Sequence, residues 1–231
     1  MEGVYDEFRR RLDEVGLDAL VLGPRYDERA PADLRLSALA PFARSGLLLI
    51  SGGAAFFEDF LRKRRDEPDP LDAHTRRTVE ALVEPLLRSG VRVALRYPFW
   101  NEASPLPFQT IGRAAGLFPS LLGLDLHPRH GPWMAYRALV LLDRPLEEEP
   151  FRAFEPCVDC EAPCIAACPV SAVSRQGWDA NRCFDHRRTG ECADGCHSRL
   201  ACPVGASQRY PLPVLRYFQG SALSCTTKSK N

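Results

Sequence analysis

Nine cysteines give this chain its clearest capacity for chemistry, and their placement is uneven. None precedes Cys157, eight lie between Cys157 and Cys202, and Cys225 stands alone near the end. Thiolates are strong ligands for soft metals, so a dense group of thiols is typical of a metal centre or of a disulfide framework. A secreted disulfide scaffold usually spreads its cysteines over the whole domain, and the clustering therefore favours metal.

The spacing of the first four cysteines indicates iron–sulfur chemistry. The segment Cys157-Val-Asp-Cys160-Glu-Ala-Pro-Cys164-Ile-Ala-Ala-Cys168-Pro169 has one residue more than the C-x2-C-x2-C-x3-C-P run of two-cluster bacterial ferredoxins. In that run the fourth cysteine ligates the other cluster. The proline after Cys168 turns the chain away. Structural zinc is an alternative, although its ligands favour well-separated cysteine pairs, and disulfides are a third.

Four further cysteines complete the ligand count of two [4Fe–4S] clusters. They are Cys183, Cys192, Cys196 and Cys202, and Cys202 is also followed by a proline. Pseudo-symmetric exchange predicts a first quartet of Cys157, Cys160, Cys164 and Cys202, and a second quartet of Cys168, Cys183, Cys192 and Cys196. Each cluster would tie together both ends of the segment, so metal binding and folding are expected to be coupled. Cys225 is predicted not to be a ligand.

The part of the chain before the cysteines has the pattern of a layered protein of helices and strands. Predicted strands at 17–22, 46–51, 91–97 and 136–142 alternate with predicted helices at 4–15, 56–65, 69–89 and 110–115. Such alternation is typical of a sheet covered by helices. We therefore predict an α+β fold with a mixed sheet.

The composition changes at a charged, proline-bounded connection at 144–150. We predict a first domain at 1–150, a cysteine-rich second domain at 151–220 and a mobile tail at 221–231. The second domain has few branched apolar residues, so apolar burial cannot offset a backbone entropy cost of about 1–2 kcal/mol per residue. Bound metal is expected to hold this domain together.

Composition and charge argue against several classes of function. The 231 residues include 30 basic and 30 acidic side chains, for a net charge of zero, and a nucleic-acid surface needs a basic excess. No apolar run reaches the roughly 18 residues that cross a bilayer, and the first residues lack the apolar stretch of a secretory signal. We expect a cytoplasmic protein without a membrane or nucleic-acid partner.

A second chemical signal lies at residues 124–142. A turn with His127, Pro128 and Gly131 leads through Trp133 into an apolar strand. Such a turn exposes backbone polar groups beside an aromatic wall and predicts a pocket. His127 can either approach a bound ligand or cap the turn by hydrogen bonding, and Trp133 can either line a cavity or belong to the core.

This stretch resembles the His-Pro-x-x-Gly-x-Trp turn of the cobalamin-processing CblC family and of epoxyqueuosine reductases. Segments that begin at Asp69, Tyr97 and Pro107 are also similar to CblC sequences. The cysteine segment, including Asp179-Ala-Asn-Arg-Cys183, resembles the cluster domain of epoxyqueuosine reductases. The resemblance implies a nitroreductase-like first domain that binds a corrinoid (cobalamin), followed by a ferredoxin-like domain with two [4Fe–4S] clusters.

The resemblance also implies roles for particular residues. The candidate corrinoid contacts are Tyr97, His127, Pro128, Gly131, Trp133 and Arg137. Glu102 is the candidate catalytic acid, since Glu102-Ala-Ser-Pro105 stands where epoxyqueuosine reductases have Asp-x-x-Pro.

The function expected from these features is a corrinoid reductase or a cobalamin-dependent reductase. Its electron donor would be a ferredoxin, a flavodoxin or a flavoprotein reductase. One alternative is a ferredoxin-type electron carrier without a corrinoid, and another is a corrinoid-binding chaperone. A flavin is the alternative occupant of the same fold.

Overall fold

The computed structural model describes residues 2–99, 105–149, 152–189 and 192–228. The helices in these ranges are α1 (Glu2–Glu14), α2 (Pro24–Arg29), α3 (Leu36–Leu39), α4 (Ala55–Lys63), α5 (Pro70–Arg88), α6 (Phe108–Ala114), α7 (Pro163–Ala166), α8 (Ala180–Arg187), α9 (His197–Ala201) and α10 (Leu212–Lys228). The strands are β1 (Leu17–Leu22), β2 (Ser45–Gly52), β3 (Val93–Arg96), β4 (Phe118–Pro119), β5 (Asp125–Leu126), β6 (Met134–Leu142), β7 (Val173–Ser174) and β8 (Gly177–Trp178). No helix in the described ranges is long and apolar enough to cross a membrane.

The chain divides into two compact units. The first unit contains residues 1–116 and 134–153, and the second contains residues 117–133 together with residues from 154 onward. The second junction lies close to the predicted boundary, but segment 117–133 belongs to the second unit instead of the first. The hydrophobic pattern did not reveal this because Leu121 and Leu122 pack against residues far along the chain, among them Ile165 and Val204.

The first unit is built on a four-stranded sheet in the order β1–β2–β6–β3. All three strand pairings are antiparallel, so the predicted mixed sheet is corrected to an antiparallel one. The alternation of strands and helices suggested parallel crossovers, but these helical connections reverse the direction of the chain. The α+β class is confirmed.

The central strands β2 and β6 are buried on both faces. Residues 47–50 and 138–141 are all fully buried. Leu48, Leu139 and Leu141 pack in one cluster with residues of α3 and α6. Successive side chains of a strand point to opposite faces, so the intervening residues face the other layer of helices. Burial on both faces explains why these strands are uninterrupted apolar runs in the sequence.

The second unit has little regular structure. β4 pairs with β5 and β7 pairs with β8, and each strand is only two residues long. Helices α7 and α9 pack together. A small apolar cluster contains Leu122, Val173 and Cys202, with Cys164 and Cys168 packed against it. Sulfur atoms thus take places that hydrocarbon side chains hold in an ordinary core. The ferredoxin-like nature of this unit stays a prediction.

Candidate metal centre

All eight cysteines between residues 157 and 202 are free thiols. Cys202 is buried and the other seven are half-buried. Because none of these described cysteines is paired in a disulfide, all eight sulfur atoms are available as ligands.

The thiols of the first quartet surround one small cavity. All four cysteines line it, and Leu121, Leu122 and Leu126 supply an apolar wall. Burial raises the pKa of the Cys202 thiol, and the other three thiols of the quartet raise it further. Burial also raises the pKa of Cys164, with a contribution from the neighbouring thiols of the same quartet. The four sulfur atoms therefore lie close enough to influence one another.

The thiols of the second quartet form a separate group. Burial raises the pKa of Cys192, and the other three thiols of this quartet add to the shift. Burial likewise raises the pKa of Cys183, with smaller contributions from Cys196 and Cys168. The structure thus brings the eight thiols together in two sets with the membership of the predicted quartets. Their role as cluster ligands stays a prediction.

Among the residues that the structure describes, no three His, Cys, Asp or Glu side chains are grouped closely enough to hold one metal ion. Zinc and iron–sulfur ligation both stay predictions from the cysteine spacing.

Hydrogen-bond donors point at the thiols in both quartets. The backbone N–H of Ala162 donates to Cys160 Sγ at 3.3 Å, and that of Ala172 donates to Cys168 Sγ at 3.2 Å. Burial by itself would raise the pKa of Cys168, but three backbone N–H groups and the Ser198 hydroxyl together lower it. Hydrogen bonds of this kind stabilise thiolates and tune iron–sulfur clusters. The cysteines and the donors around them therefore fit iron–sulfur binding.

Short helices position the thiols. Helix α9 begins directly after Cys196 and ends directly before Cys202, so it joins a member of the second quartet to a member of the first. Helix α8 carries Cys183, and its start is capped by the Asp179 carboxylate, which accepts the Arg182 backbone N–H at 3.0 Å. Substituting such a cap typically costs about 1 kcal/mol.

The turn at residues 127–131, where a pocket was predicted, is closed by hydrogen bonds between its own residues. His127 Nδ1 accepts the backbone N–H groups of Arg129 at 3.1 Å and His130 at 3.3 Å. The backbones of His127 and Gly131 exchange two further hydrogen bonds, of 3.0 and 2.7 Å. Both imidazoles are buried, while Pro128 is exposed at the tip. His127 therefore caps the turn, which is the second of its two expected roles.

This turn lies directly against the loop that follows Cys202. Gly131 has φ 55°, and a Cβ there would lie 2.1 Å from the carbonyl oxygen of Val204. Gly205 has φ 65°, and its Cβ would lie 2.4 Å from the carbonyl group of His130. Only glycine fits at either position. The two backbones touch, and the turn supports the loop that presents Cys202 instead of opening to a ligand.

Trp133 belongs to the packing of the second unit. Its side chain is fully buried, and its ring meets the edge of Tyr210 at 5.4 Å. The Arg199 guanidinium lies 4.5 Å from the centroid of Trp133 and 4.8 Å from that of Tyr210. Among the described residues, neither Trp133 Nε1 nor Arg199 Nε has a hydrogen-bond partner. Sequence patterns could not predict this stacked arrangement, since Trp133, Arg199 and Tyr210 are far apart along the chain.

The remaining candidate contacts lie in the first unit. Tyr97 is buried and stacks on Phe99 with a centroid distance of 5.0 Å, and burial raises its pKa to about 12. Arg137 is buried and donates from Nε to the Ser51 hydroxyl at 3.2 Å. Glu102 lies outside the described residues. The six candidate corrinoid contacts are therefore divided between the two units.

Comparison with solved structures shows which known proteins share this fold. No protein-family model matches the chain, and no curated protein matches it either. Among solved structures, epoxyqueuosine reductase from Streptococcus thermophilus aligns over 90% of this chain and 68% of its own, with a TM-score of 0.56 and 14% identity. The C. elegans B12-trafficking protein CblC aligns over 95% of this chain and 92% of its own, with a TM-score of 0.56 and 16% identity.

The chain has the fold of these proteins. An epoxyqueuosine reductase bound to a tRNA stem loop aligns similarly, over 92% of this chain and 69% of its own, with a TM-score of 0.53 and 16% identity. The resemblance to CblC and epoxyqueuosine reductases is thereby confirmed at the level of the α+β fold, while the ferredoxin-like second domain stays a prediction.

Proposed function

We propose that this chain is an iron–sulfur redox protein that holds one [4Fe–4S] cluster in each cysteine quartet. The observation that carries the proposal is the grouping of eight free thiols into two sets of four. When bound, such clusters take up and release single electrons. The chain itself holds the thiolates, covers the first quartet with Leu121 and Leu122, and donates hydrogen bonds to sulfur.

The electron acceptor in this proposal is a corrinoid, which would make the protein a corrinoid reductase or a cobalamin-dependent reductase. Its support is the fold shared with a B12-trafficking protein and with epoxyqueuosine reductases. His127, Trp133 and Arg137 are buried and hold contacts within their own units, and no step is assigned to them. The net charge of zero gives no support to a nucleic-acid substrate.

Anaerobic reconstitution with iron and sulfide tests the clusters. We expect about eight irons per chain, from two four-iron clusters, and an EPR signal on reduction with dithionite. Cys157→Ala should remove about half of the iron by disrupting the first quartet, and Cys183→Ala should do the same in the second. Cys225→Ser is the matched control and should retain all of it. Bound zinc, or full iron content in both alanine variants, would contradict the proposal.

Titration of the reconstituted protein with cob(II)alamin tests the acceptor. A base-off cobalt EPR signal, followed by reduction of the cobalt, supports a corrinoid reductase. Tight binding without reduction would identify a corrinoid chaperone instead. No cobalamin binding, together with clusters that dithionite bleaches, would leave a ferredoxin-type electron carrier. A parallel titration with FMN measures the flavin alternative.

A further inference from the structure

The β7–β8 hairpin, residues 173–178, lies beside members of both predicted quartets. Near its tip, Arg175 Nη2 donates to the backbone carbonyl of Cys160 at 3.0 Å. At its end, the ring of Trp178 packs against Phe184, the residue that follows Cys183. One short element is therefore close to a predicted ligand of each quartet.

The Trp178 side chain packs against neighbouring residues and is also partly exposed to solvent. Its ring meets the edge of Phe184 at 5.8 Å and 69°. It also lies against Gly123, where a Cβ would come within 2.6 Å of the Trp178 ring. Trp178 nevertheless leaves 39% of its surface exposed. A tryptophan with a fixed orientation and a free face is the kind of side chain that dominates protein–protein interfaces.

The surface beside Trp178 combines apolar and basic groups. Leu124, next to Gly123 in the chain, is exposed. Residues 175–188 contain four arginines and two aspartates. Two of these arginines, Arg175 and Arg187, donate hydrogen bonds to backbone carbonyls. A carbonyl group has no net charge, so these contacts do not neutralise the positive charge. An apolar centre with a basic rim complements an acidic protein surface.

We propose that the β7–β8 hairpin, with Trp178 at its centre, is the docking surface for a small acidic electron-carrier protein. This inference rests on the proposed function. In the reduction that docking serves, the carrier loses one electron and the cluster held by the second quartet gains it, with no proton transferred and no covalent bond changed. Docking here brings the carrier against an exposed side chain that packs on Phe184, the residue next to Cys183 of that quartet.

Binding of an acidic two-cluster bacterial ferredoxin to the reconstituted protein tests the proposal. With both partners oxidised, isothermal titration calorimetry gives the Kd at several salt concentrations. Trp178→Ala should raise the Kd at least tenfold, and Arg182→Glu should raise it severalfold and flatten its salt dependence. The matched controls in the first unit are Leu87→Ala and Arg44→Glu, both at exposed positions. The Kd of each control variant should stay within twofold of the Kd of the unchanged protein.

A second measurement separates docking from loss of the clusters. Reduced methyl viologen should reduce the clusters of the Trp178→Ala protein at the unchanged rate, while reduction by the ferredoxin should slow at least tenfold. If the clusters load but both hairpin variants bind the ferredoxin within twofold of the unchanged protein, the docking proposal is overturned. If the unchanged protein loads no iron at all, the proposed function itself fails.

Discussion

The first unit packs around a continuous sheet, whereas the second unit divides its interior between hydrocarbon side chains and thiols. Residues 47–50 and 138–141 of the first unit are completely buried. In the second unit Leu126, Trp133 and Val214 are buried, while of the eight thiols only Cys202 is buried and the others are half-buried. Apolar burial, at roughly 25 cal/mol per Å², therefore stabilises both units, and metal ligation would add free energy to the second alone. Removal of metal and loss of core volume should therefore affect the two units differently.

Removal of metal should have the largest effect and should fall on the second unit alone. Anaerobic chelation of iron should abolish amide protection in α7, α8 and α9, because ligation supplies the cohesion of this region. The amides of β2 and β6 should keep their protection. Hydrogen exchange measured by mass spectrometry reads both regions in one sample. Equal protection of α7–α9 with and without metal would contradict the comparison.

A substitution that leaves a cavity in the first unit should destabilise that unit and leave iron binding in the second unit unchanged. Leu139→Ala should lower the free energy of unfolding of this unit by about 2–5 kcal/mol, since Leu139 is fully buried in the cluster against α3 and α6. Urea unfolding followed by far-UV circular dichroism measures the loss. Leu87→Ala, at a side chain that is 51% exposed, is the control and should change the value by less than about 0.5 kcal/mol. Iron loss from the Leu139→Ala protein under native conditions would show that the units are not independent.

Gly131→Ala should weaken the second unit without removing a ligand. The new methyl group would meet the carbonyl oxygen of Val204 and would need a left-handed backbone, at a cost of about 1–3 kcal/mol. Because this turn packs against the loop after Cys202, the Gly131→Ala protein should lose iron to a chelator faster than the unchanged protein does. Gly220→Ala, in α10 with open space around the added carbon, should release iron at the unchanged rate. Equal release rates for both variants would argue against this support.

The smallest expected effect concerns a buried histidine of the first unit. His74 lies 5.2 Å from Phe56 and 5.6 Å from Phe60, measured between ring centroids. Burial lowers its pKa, and the carboxylate of Asp59 only partly opposes this. The cations Arg77, Lys63 and Arg137 lower it further.

Protonation of His74 should therefore destabilise the first unit. The folded state binds this proton more weakly than the unfolded chain, so stability is complete above the unfolded pKa of about 6.5 and declines as the pH falls below it. The Asp59 carboxyl, whose pKa is lowered by Arg62 and Lys63 against the effect of burial, acts only at much lower pH. His74→Phe should flatten the free energy of unfolding between pH 7.5 and 5.5. A flat profile in the unchanged protein would show that His74 does not titrate in this range.

The sequence was informative where the physical cause is local. β2 and β6 are uninterrupted apolar runs because both faces are buried, and α5 has proline at its start and glycine just after its end. Strand direction was mispredicted because it depends on how the helical connections return, which a run of leucines does not encode. Segment 117–133 was assigned to the wrong side of the division because its packing partners are distant in the chain.

The same distinction applies to the candidate site. Thiol spacing limits how a chain can wrap a cluster, so the two quartets could be predicted from their order alone. The roles of the 127–133 turn depend on distant partners: His130 Nδ1 pairs with the Gln208 side chain, 78 residues further along. Arg199 donates to the carbonyl of Pro132 across 67 residues. No local pattern identifies such partners, and the pocket that the resemblance implied stays a prediction.

Helix α9 has a consequence for electron tunnelling. Its five residues span about 7.5 Å at 1.5 Å per residue, and Cys196 and Cys202 flank it directly. If both quartets hold clusters, as proposed, so short a helix would keep the two clusters at a nearly constant spacing. Electron exchange between them would then be insensitive to loop fluctuations, and the slow part of electron delivery would lie outside the pair.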